Sequence, residues 1–305
     1  MSPLLLTHGG ALSNLPLFLA LDAGLFAARG LMVEAAPLER FGATADRLRE
    51  GRAAMGTTGF TQVLADADGA DPLVVVAGSG LRGMALVGRA GADIASLAGG
   101  TVGVFADDPM QVLLADVLAC HGLEGQVTFR FLESLRAGAE ALAAGEIAAF
   151  TTVEPWIGRL RHGGATVLAD GADVWGPDYP DTVLVARRSF VESDPDTVTT
   201  MIGAMLDAQW HIERDPAGAL ATVAHRFPGF SAEELRAGLR AQPSCVDIRG
   251  LEPVILGRWA TVRRLQGRPA SSPPPGLVDP RCLVAAMDRE SPVTRPALER
   301  KSDVL

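Results

Sequence analysis

The sequence is poor in lysine, in tyrosine and in aromatic side chains of every kind. Lys301 is the only lysine among 305 residues, Tyr179 is the only tyrosine, and aromatic residues make up 5%. Acidic side chains outnumber basic ones, 36 to 27, and leave a formal net charge of −9. Nucleic-acid binding needs clustered cations for the phosphates or aromatic platforms for the bases. The sequence has neither, so we expect no nucleic-acid partner.

Cysteine is scarce as well. Cys120, Cys245 and Cys282 lie far apart, and the sequence contains no CxxC or Cys/His spacing of the kind that binds zinc. An odd number of scattered cysteines does not build a disulfide framework. We therefore expect free thiols, and the sequence predicts neither a metal site nor a cofactor.

Long hydrophobic runs are absent. No stretch of about 18 apolar residues occurs, so no membrane span is predicted. The short apolar run 4–6 has no positive charge before it and is followed at once by His8 and two glycines, which is not the pattern of a signal peptide. We expect a cytoplasmic protein as numbered, and a periplasmic or extracellular one if an export signal has been removed.

Apolar residues make up 48% of the chain, and their pattern predicts alternating strands and helices up to about residue 190. Strands are predicted at 4–6, 32–36, 53–57 and 73–77, and a helix at 15–29 with Pro16 in its first turn and Gly30 after its end. This alternation favours an α/β protein with largely parallel sheets. Further helices are predicted at 195–214, 217–227 and 231–242, the last with a capping box of Ser231 and Glu234. The charged tail after 288 is expected to wrap the surface or fray.

Parts of the first half of the chain are echoed about 93 residues later. Gly30 and Gly122 each end a helix before a strand and lie 92 residues apart, while Pro16 and Pro109 each begin a helix and lie 93 apart. A third pair, glycines 51 and 145, lies 94 apart. Three features at nearly one offset indicate a duplicated unit.

The duplication predicts two lobes of similar fold with a cleft between them. We expect residues 1–85 together with 187–305 to form the first lobe and residues 86–186 to form the second. Strands at 73–77 and 84–87 would carry the chain across, and a strand at 181–186 would carry it back. The helices after residue 190 are additions to this plan.

Ligands of such proteins lie beyond the carboxyl ends of the strands, so the loops that follow predicted strands are the candidate site. The candidate ligand-binding residues are His8, Ser13, Asn14, Thr44, Thr58, Phe60, Asp108, Met110, Thr152, Glu154 and Tyr179.

Several of these candidates also have a purely structural explanation. Asp108 precedes Pro109, as a helix N-cap does, and Glu154 could be an acidic residue of a first helical turn. His8 could be a loop histidine, and Phe60 could be a core residue. These alternatives stay open at the level of the sequence.

The charges near the predicted cleft constrain the ligand. Asp107, Asp108 and Glu154 would all lie close to it, and only Arg82 and His8 are nearby counter-charges. Three carboxylates would repel a sulfonate or a phosphate. We therefore expect a small organic ligand that is neutral, cationic or amphoteric.

Several segments resemble the substrate-binding proteins for nitrate, taurine, alkanesulfonates and thiamine precursors. The resemblance rests on segments 14–20, 22–26 and 30–33, on Leu97-Ala98-Gly99-Gly100 with the apolar strand after it, and on Glu154-Pro155-Trp156. It covers roughly residues 4–225 and implies the two-lobe (type 2) periplasmic-binding fold, with a hinge and an inter-lobe cleft that closes on a small molecule.

Two functions are consistent with that resemblance. One is solute binding for an ABC importer, with an ABC permease as partner if the chain is exported. The alternative is a cytoplasmic enzyme on the same fold, a lyase, decarboxylase or transferase, since some relatives are enzymes. No nucleophile constellation is evident, so such an enzyme would use acid–base chemistry by His8, Asp108 or Glu154.

Overall fold

The computed structural model describes residues 3–38 and 43–289. In these ranges the strands are β1 (Leu4–His8), β2 (Val33–Pro37), β3 (Met55–Gly59), β4 (Leu73–Leu81), β5 (Met84–Gly88), β6 (Thr101–Val104), β7 (Thr128–Phe131), β8 (Ala149–Val153), β9 (Thr166–Asp170) and β10 (Pro180–Arg187). The helices of the first 190 residues are α1 (Leu15–Asp22), α2 (Leu25–Ala28), α3 (Ala43–Arg49), α4 (Thr61–Asp66), α5 (Pro109–Cys120), α6 (Leu135–Ala143), α7 (Trp156–His162) and α8 (Gly171–Trp175). Those that follow are α9 (Arg188–Ser193), α10 (Pro195–Arg214), α11 (Pro216–Val223), α12 (Ala232–Ala241), α13 (Glu252–Leu256), α14 (Trp259–Leu265) and α15 (Arg281–Arg289).

The strands form two five-stranded sheets of the same design. The first has the order β2-β1-β3-β10-β4 and the second β7-β6-β8-β5-β9. In each sheet the three strands at one side are parallel, and the fourth strand runs antiparallel to its two neighbours. The duplicated α/β unit predicted from the echo is therefore confirmed.

The antiparallel strands exchange the chain between the two sheets. β4 ends the first unit, and a turn through Arg82 and Gly83, both at positive φ (60° and 80°), leads to β5 in the second sheet. β10 then returns and pairs with β3 and β4, with Thr182 opposite Gly59. β5 (Met84–Gly88) therefore belongs to the second sheet, and β10 (Pro180–Arg187) belongs to the first.

The long helix expected at 15–29 is divided. α1 ends at Asp22, and Gly24 adopts a left-handed conformation (φ 70°) before the short helix α2. A left-handed residue interrupts the helical hydrogen-bond ladder, and glycine adopts it without strain. The apolar spacing was the same on both sides of this break, so the pattern alone did not reveal it.

The helices after residue 190 follow the sequence closely. α10 spans the predicted range 195–214, and the capping box of α12 forms between Ser231 and Glu234, each side chain accepting the other's backbone N–H. The helix expected at 217–227 is α11 followed by a 3-10 turn. The tail predicted after 288 lies, from residue 290 on, outside the described residues.

The last helices touch both lobes. α12 packs on α7 of the second lobe, and α14 packs on α4 of the first and α5 of the second. Arg159 of α7 donates to both carboxylate oxygens of Glu234 in α12 (2.7 and 3.1 Å). At the contact between α5 and α14, Asp116 of α5 accepts hydrogen bonds from Arg258 and Thr261. The lobes are therefore joined by side-chain contacts as well as by the chain crossings.

All three cysteines are free, as predicted. None of the described helices is long and apolar enough to cross a membrane.

Candidate functional site

A cavity of about 360 Å³ lies where the carboxyl ends of β1, β3 and β8 meet the start of β10. We call it the cleft cavity. Its first-lobe lining is Gly9, Gly10, Ala11, Asn14, Leu38, Thr57, Thr58, Gly59, Asp181 and Thr182, and its second-lobe lining is Asp108, Pro109, Met110, Glu133, Ser134, Leu135, Arg136, Val153 and Trp156. Both lobes contribute walls, so a ligand here would be enclosed by closure of the hinge.

The lobes touch beside this cavity. The Gln62 side chain of α4 donates from Nε2 to the backbone carbonyl of Asp107, 3.2 Å away in the second lobe, and accepts from the Thr58 hydroxyl at 2.8 Å. Asp107 has a left-handed φ of 57°, which aspartate tolerates better than most residues. The structure therefore represents lobes in contact.

Two buried polar side chains of the first lobe have unsatisfied atoms at the cavity. Asn14 is 1% exposed; its Nδ2 donates to the carbonyl of Gly9 at 3.2 Å, while its Oδ1 has no partner among the described residues. Thr57 is 0% exposed, and its Oγ1 also lacks a partner. Buried polar atoms are nearly always hydrogen-bonded, which makes these two atoms candidate partners of a ligand.

Asp181 brings a buried carboxylate to the same cavity. It is 5% exposed, and its Oδ2 accepts from Nε2 of Gln242 at 2.7 Å. Burial raises the pKa of Asp181 to about 6, although hydrogen bonds from Ser13, Gln242 and Thr182 act in the opposite direction. A carboxylate held this way accepts a proton or a cation readily near neutral pH.

Asp108 brings a second carboxylate from the other lobe. Its side chain caps α5 by accepting the backbone N–H of Met110 at 3.0 Å. Burial raises the pKa of Asp108 to about 7, and the charges of Asp181 and Asp107 raise it further. Asp108 is therefore the N-cap of α5, and it also lines the cleft cavity.

The second lobe also supplies an aromatic wall and one cation. Trp156, the first residue of α7, is half-buried and packs edge-to-face on Phe230, with ring centroids 5.3 Å apart. Arg136 lies in the first turn of α6 and is exposed. Within the described ranges it is the one basic side chain that lines the cavity, and solvent screens its charge.

Four of the eleven predicted residues line the cleft cavity: Asn14, Thr58, Asp108 and Met110. Three others lie next to it: Ser13 and Thr44 contact lining residues, and Tyr179 contacts the start of β5. The Ser13 hydroxyl lies 2.7 Å from that of Thr182, and Thr44 donates to the carbonyl of Thr57 at 3.2 Å. The phenol of Tyr179 accepts from the backbone N–H of Met84 and donates to its carbonyl, at the hinge, and burial raises the pKa of Tyr179.

The remaining four predicted residues lie outside the cavity lining. His8 is buried against Phe18, with ring centroids 5.0 Å apart, and burial lowers its pKa. Phe60 packs edge-to-face on Trp175. Thr152 is fully buried in β8, and Glu154 accepts the backbone N–H of Gly158 at 3.2 Å while burial raises its pKa.

Sequence reasoning missed Asp181, Thr182, Arg136 and, as a lining residue, Trp156. A signal for the first two existed. The predicted strand 181–186 returns antiparallel to its neighbours, so its beginning, rather than its end, lies at the edge where parallel strands end. Arg136 was missed because it follows β7, and the loop after that strand was not among the predicted site loops.

Comparison with known proteins agrees with this architecture. A family model described as the NMT1-like family matches residues 6–226, more than half of the chain. The chain belongs to the NMT1-like family. This confirms the family predicted from the sequence. A search of curated proteins found no match for this NMT1-like chain.

Solved structures share the fold of this NMT1-like protein. The ligand-binding component of an ABC-type import system from Staphylococcus aureus, solved with zinc bound, has a TM-score of 0.77 at 15% identity, covering 94% of this chain and 99% of that one. The nitrate-binding protein NrtA from Synechocystis PCC 6803 has a TM-score of 0.76 at 14% identity, covering 95% and 89%.

The alkanesulfonate-binding protein SsuA from Xanthomonas axonopodis pv. citri, bound to MOPS, has a TM-score of 0.74 at 23% identity, covering 92% of this chain and 99% of that one. The fold is thus the two-lobe periplasmic-binding fold, as predicted. Among the described residues of the NMT1-like chain, no group of three or more His, Cys, Asp or Glu side chains is placed to hold a metal ion.

Proposed function

We propose that this protein binds a small organic solute in the cleft cavity and that the closed form delivers it to an ABC importer. The observation that carries the proposal is the cavity itself. It lies at the strand ends of two duplicated units, has walls from both lobes, and contains buried polar atoms without partners. At about 360 Å³ it is at the lower end of the size range of small-molecule sites.

The proposed lobes follow the sheets. Residues up to 83 and from about 179 onward would form the first lobe, and residues 84–178 the second, with rotation at Arg82–Gly83 and at the entry to β10. A ligand docked on Asn14, Thr57 and Thr58 would favour the closed form in proportion to the contacts that Asp108 and Met110 add on closure.

Catalysis is the weaker alternative, because the acid–base residues nominated for it do not meet. Of His8, Asp108 and Glu154, only Asp108 lines the cavity. The neighbouring proteins that bind nitrate, alkanesulfonates or other ligands of import systems favour binding for this chain too. The importer role places the protein outside the cytoplasmic membrane, and fractionation of cells that express the natural full-length gene tests this location.

Thermal-shift screening with neutral, anionic and cationic compounds of matched shape tests the binding function. We expect at least one class to raise the melting temperature, to reduce the radius of gyration in small-angle scattering, and to be recovered unchanged after prolonged incubation. A compound consumed over many turnovers would show an enzyme instead. A protein that no class of compound stabilises or closes would contradict solute binding.

A further inference from the structure

The cleft cavity carries many hydrogen-bond acceptors and little positive charge. Among the described residues, its acidic lining side chains are Asp108, Asp181 and the exposed Glu133, and its basic one is the exposed Arg136. An ionised carboxylate only accepts hydrogen bonds, so the ligand has to supply the donors.

Two further polar atoms at the same cavity lack partners independently of the acidic residues: one amide oxygen, which can only accept, and one hydroxyl, which can donate or accept. Asn14 Oδ1 and Thr57 Oγ1 are buried and have no partner among the described residues, although their side chains are at most 1% exposed. The amide oxygen of Asn14 can only accept, and the bond from Nδ2 to the carbonyl of Gly9 fixes the orientation of the amide. A bound group that donates several hydrogen bonds satisfies these atoms, whereas an anion leaves Asn14 Oδ1 unsatisfied.

We propose that the ligand is an organic cation whose ammonium group lies between Asp108 and Asp181 and donates to Asn14 Oδ1, while its apolar part contacts Met110 and Trp156. This proposal rests on the proposed function and names the substrate class of that site. An ammonium group presents three donors, which is enough for the two carboxylates and the amide oxygen. An aromatic face beside the cation adds attraction.

The position of the two carboxylates couples the cation to closure. Asp181 belongs to the first lobe and Asp108 to the second. Without a ligand, closure can bury the two carboxyl groups only if the pair takes up a proton, because two like charges in a buried space repel each other. With a cation between them, each carboxylate gains a partner only when the lobes meet, so the cation favours the closed form.

Arg136 does not reverse this preference. Its side chain is exposed at the edge of the cavity, whereas Asp181 is 5% exposed and the charge of a buried group is screened far less by water. Arg136 lines the same cavity, so a cation that also carries an acceptor group is compatible with the site.

The protonation of the two carboxylates agrees with this arrangement. Burial raises the pKa of Asp108 to about 7 and that of Asp181 to about 6. A proton therefore occupies the pair near neutral pH when no cation is bound. A cationic ligand would displace it, and its affinity would rise between about pH 5.5 and pH 8 while the amine stays protonated.

A matched set of three compounds tests the proposal: benzylamine, benzyl alcohol and phenylmethanesulfonate, which share one carbon skeleton and differ in charge. Isothermal titration with the full chain near pH 7.5 measures their affinities. We expect benzylamine to bind about 10-fold to 100-fold more tightly than benzyl alcohol, since hydrogen bonds to charged groups contribute that much. The sulfonate should bind weakest.

Asp108→Asn and Asp181→Asn should each reduce the affinity for benzylamine about tenfold or more and leave that for benzyl alcohol within about twofold. Asparagine caps a helix as well as aspartate does, so Asp108→Asn should fold, and its circular dichroism should match the wild type. Asp107→Asn is the matched control, because Asp107 is exposed and lies outside the cleft cavity. It should change benzylamine affinity less than about twofold.

If the alcohol or the sulfonate binds as tightly as benzylamine or more tightly, the ligand is not a cation, although the protein still binds a solute. The same holds if Asp108→Asn and Asp107→Asn have the same effect. If none of the three compounds binds or closes the lobes, the proposal of a cationic ligand is wrong. If the broader thermal-shift screen also finds no stabilising compound, the proposed function is wrong as well.

Discussion

Gly59 and Pro109 meet across the cleft so closely that a Cβ added to Gly59 would lie 2.1 Å from Cγ of the proline ring. Gly59 ends β3 in the first lobe, and Pro109 begins α5 in the second. Both residues line the cleft cavity. The missing side chain at position 59 therefore lets the two lobes approach to contact at the site where a ligand would lie.

Replacing Gly59 by alanine should hinder closure without unfolding either lobe. The added methyl group overlaps the proline only when the lobes are in contact, and overpacking of this kind costs about 1–3 kcal/mol. We expect ligand affinity to fall about 10-fold to 100-fold, measured by titration with the compound that stabilises the wild type most. Small-angle scattering should show a larger radius of gyration with ligand present than for the wild type.

Gly158→Ala is the control for this substitution. Position 158 lies within α7, and an added Cβ would make only an ordinary contact of 3.4 Å with Glu154 Oε2. The variant should keep wild-type affinity and scattering. If Gly59→Ala binds and closes like Gly158→Ala, the cleft does not close to the contact that the structure shows.

The unfolding free energy of the ligand-free protein should decrease as pH rises from about 4 to about 7. The raised pKa values of Asp108 (about 7) and Asp181 (about 6) mean that the native state binds more protons than the unfolded state in this range. Stability falls with pH wherever the native state binds more protons. Thermal denaturation at about pH 5 and about pH 8 measures the change.

Asp108→Asn separates this effect from other titrating groups. His8, whose pKa burial lowers, contributes with the opposite sign as pH rises through its unfolded value. Subtracting the variant from the wild type removes that contribution. We expect the variant to gain about 1–3 kcal/mol relative to the wild type between about pH 5 and about pH 8; a constant difference would show that Asp108 does not titrate in this range.

Arg159→Met should weaken the contact between α7 and α12. The guanidinium bonds Glu234 twice, donates to the carbonyl of Gly229, and lies 3.7 Å from the ring centre of Phe230. Its loss should lower the unfolding free energy by about 1–3 kcal/mol in urea denaturation.

The same pair predicts an acid dependence. Hydrogen bonding to Arg159 lowers the pKa of Glu234 to about 2, so this stabilisation is complete above about pH 4.5 and is lost as pH falls toward 2. Between about pH 5 and pH 3, Arg159→Met should lose less stability than the wild type. A larger loss in the variant would contradict the pairing.

Asp116→Asn should destabilise the other contact between the lobes. Its carboxylate accepts from Trp175 Nε1 (2.7 Å), Arg258 (3.0 Å) and Thr261 (2.6 Å) and is mostly buried. Removing its charge leaves the guanidinium of Arg258 without its counter-charge, and we expect a loss of about 2–3 kcal/mol in thermal or urea unfolding. Thr261→Ala removes one hydrogen bond and should cost about 1 kcal/mol; equal losses would argue against a shared network.

The elements that could be predicted are those specified by local chemistry. The capping box at Ser231 and Glu234 and the helix 195–214 depend on residues three or four positions apart, and both formed as expected. The division of the first helix at Gly24 could not be predicted, because a glycine between apolar residues is compatible with either continuation or a break. The sequence placed Asp108 at the cleft because an N-cap before Pro109 follows a strand end, and Asp108 does line the cavity. His8 instead packs on Phe18, a neighbour ten residues away whose contact the pattern does not show.

The amino-acid sequence by itself determined the duplicated α/β units and the general location of the cleft, because these depend on spacing along the chain that recurs about 93 residues later. The family followed from a resemblance in short segments such as Glu154-Pro155-Trp156. Only the tertiary structure decided which side chains line the cavity. Asp181 and Asp108 stand 73 positions apart, and they come together because an antiparallel strand returns to the first sheet beside the ends of its parallel neighbours. Spacing along the chain records local geometry, while the meeting of two lobes depends on how whole sheets are placed in space.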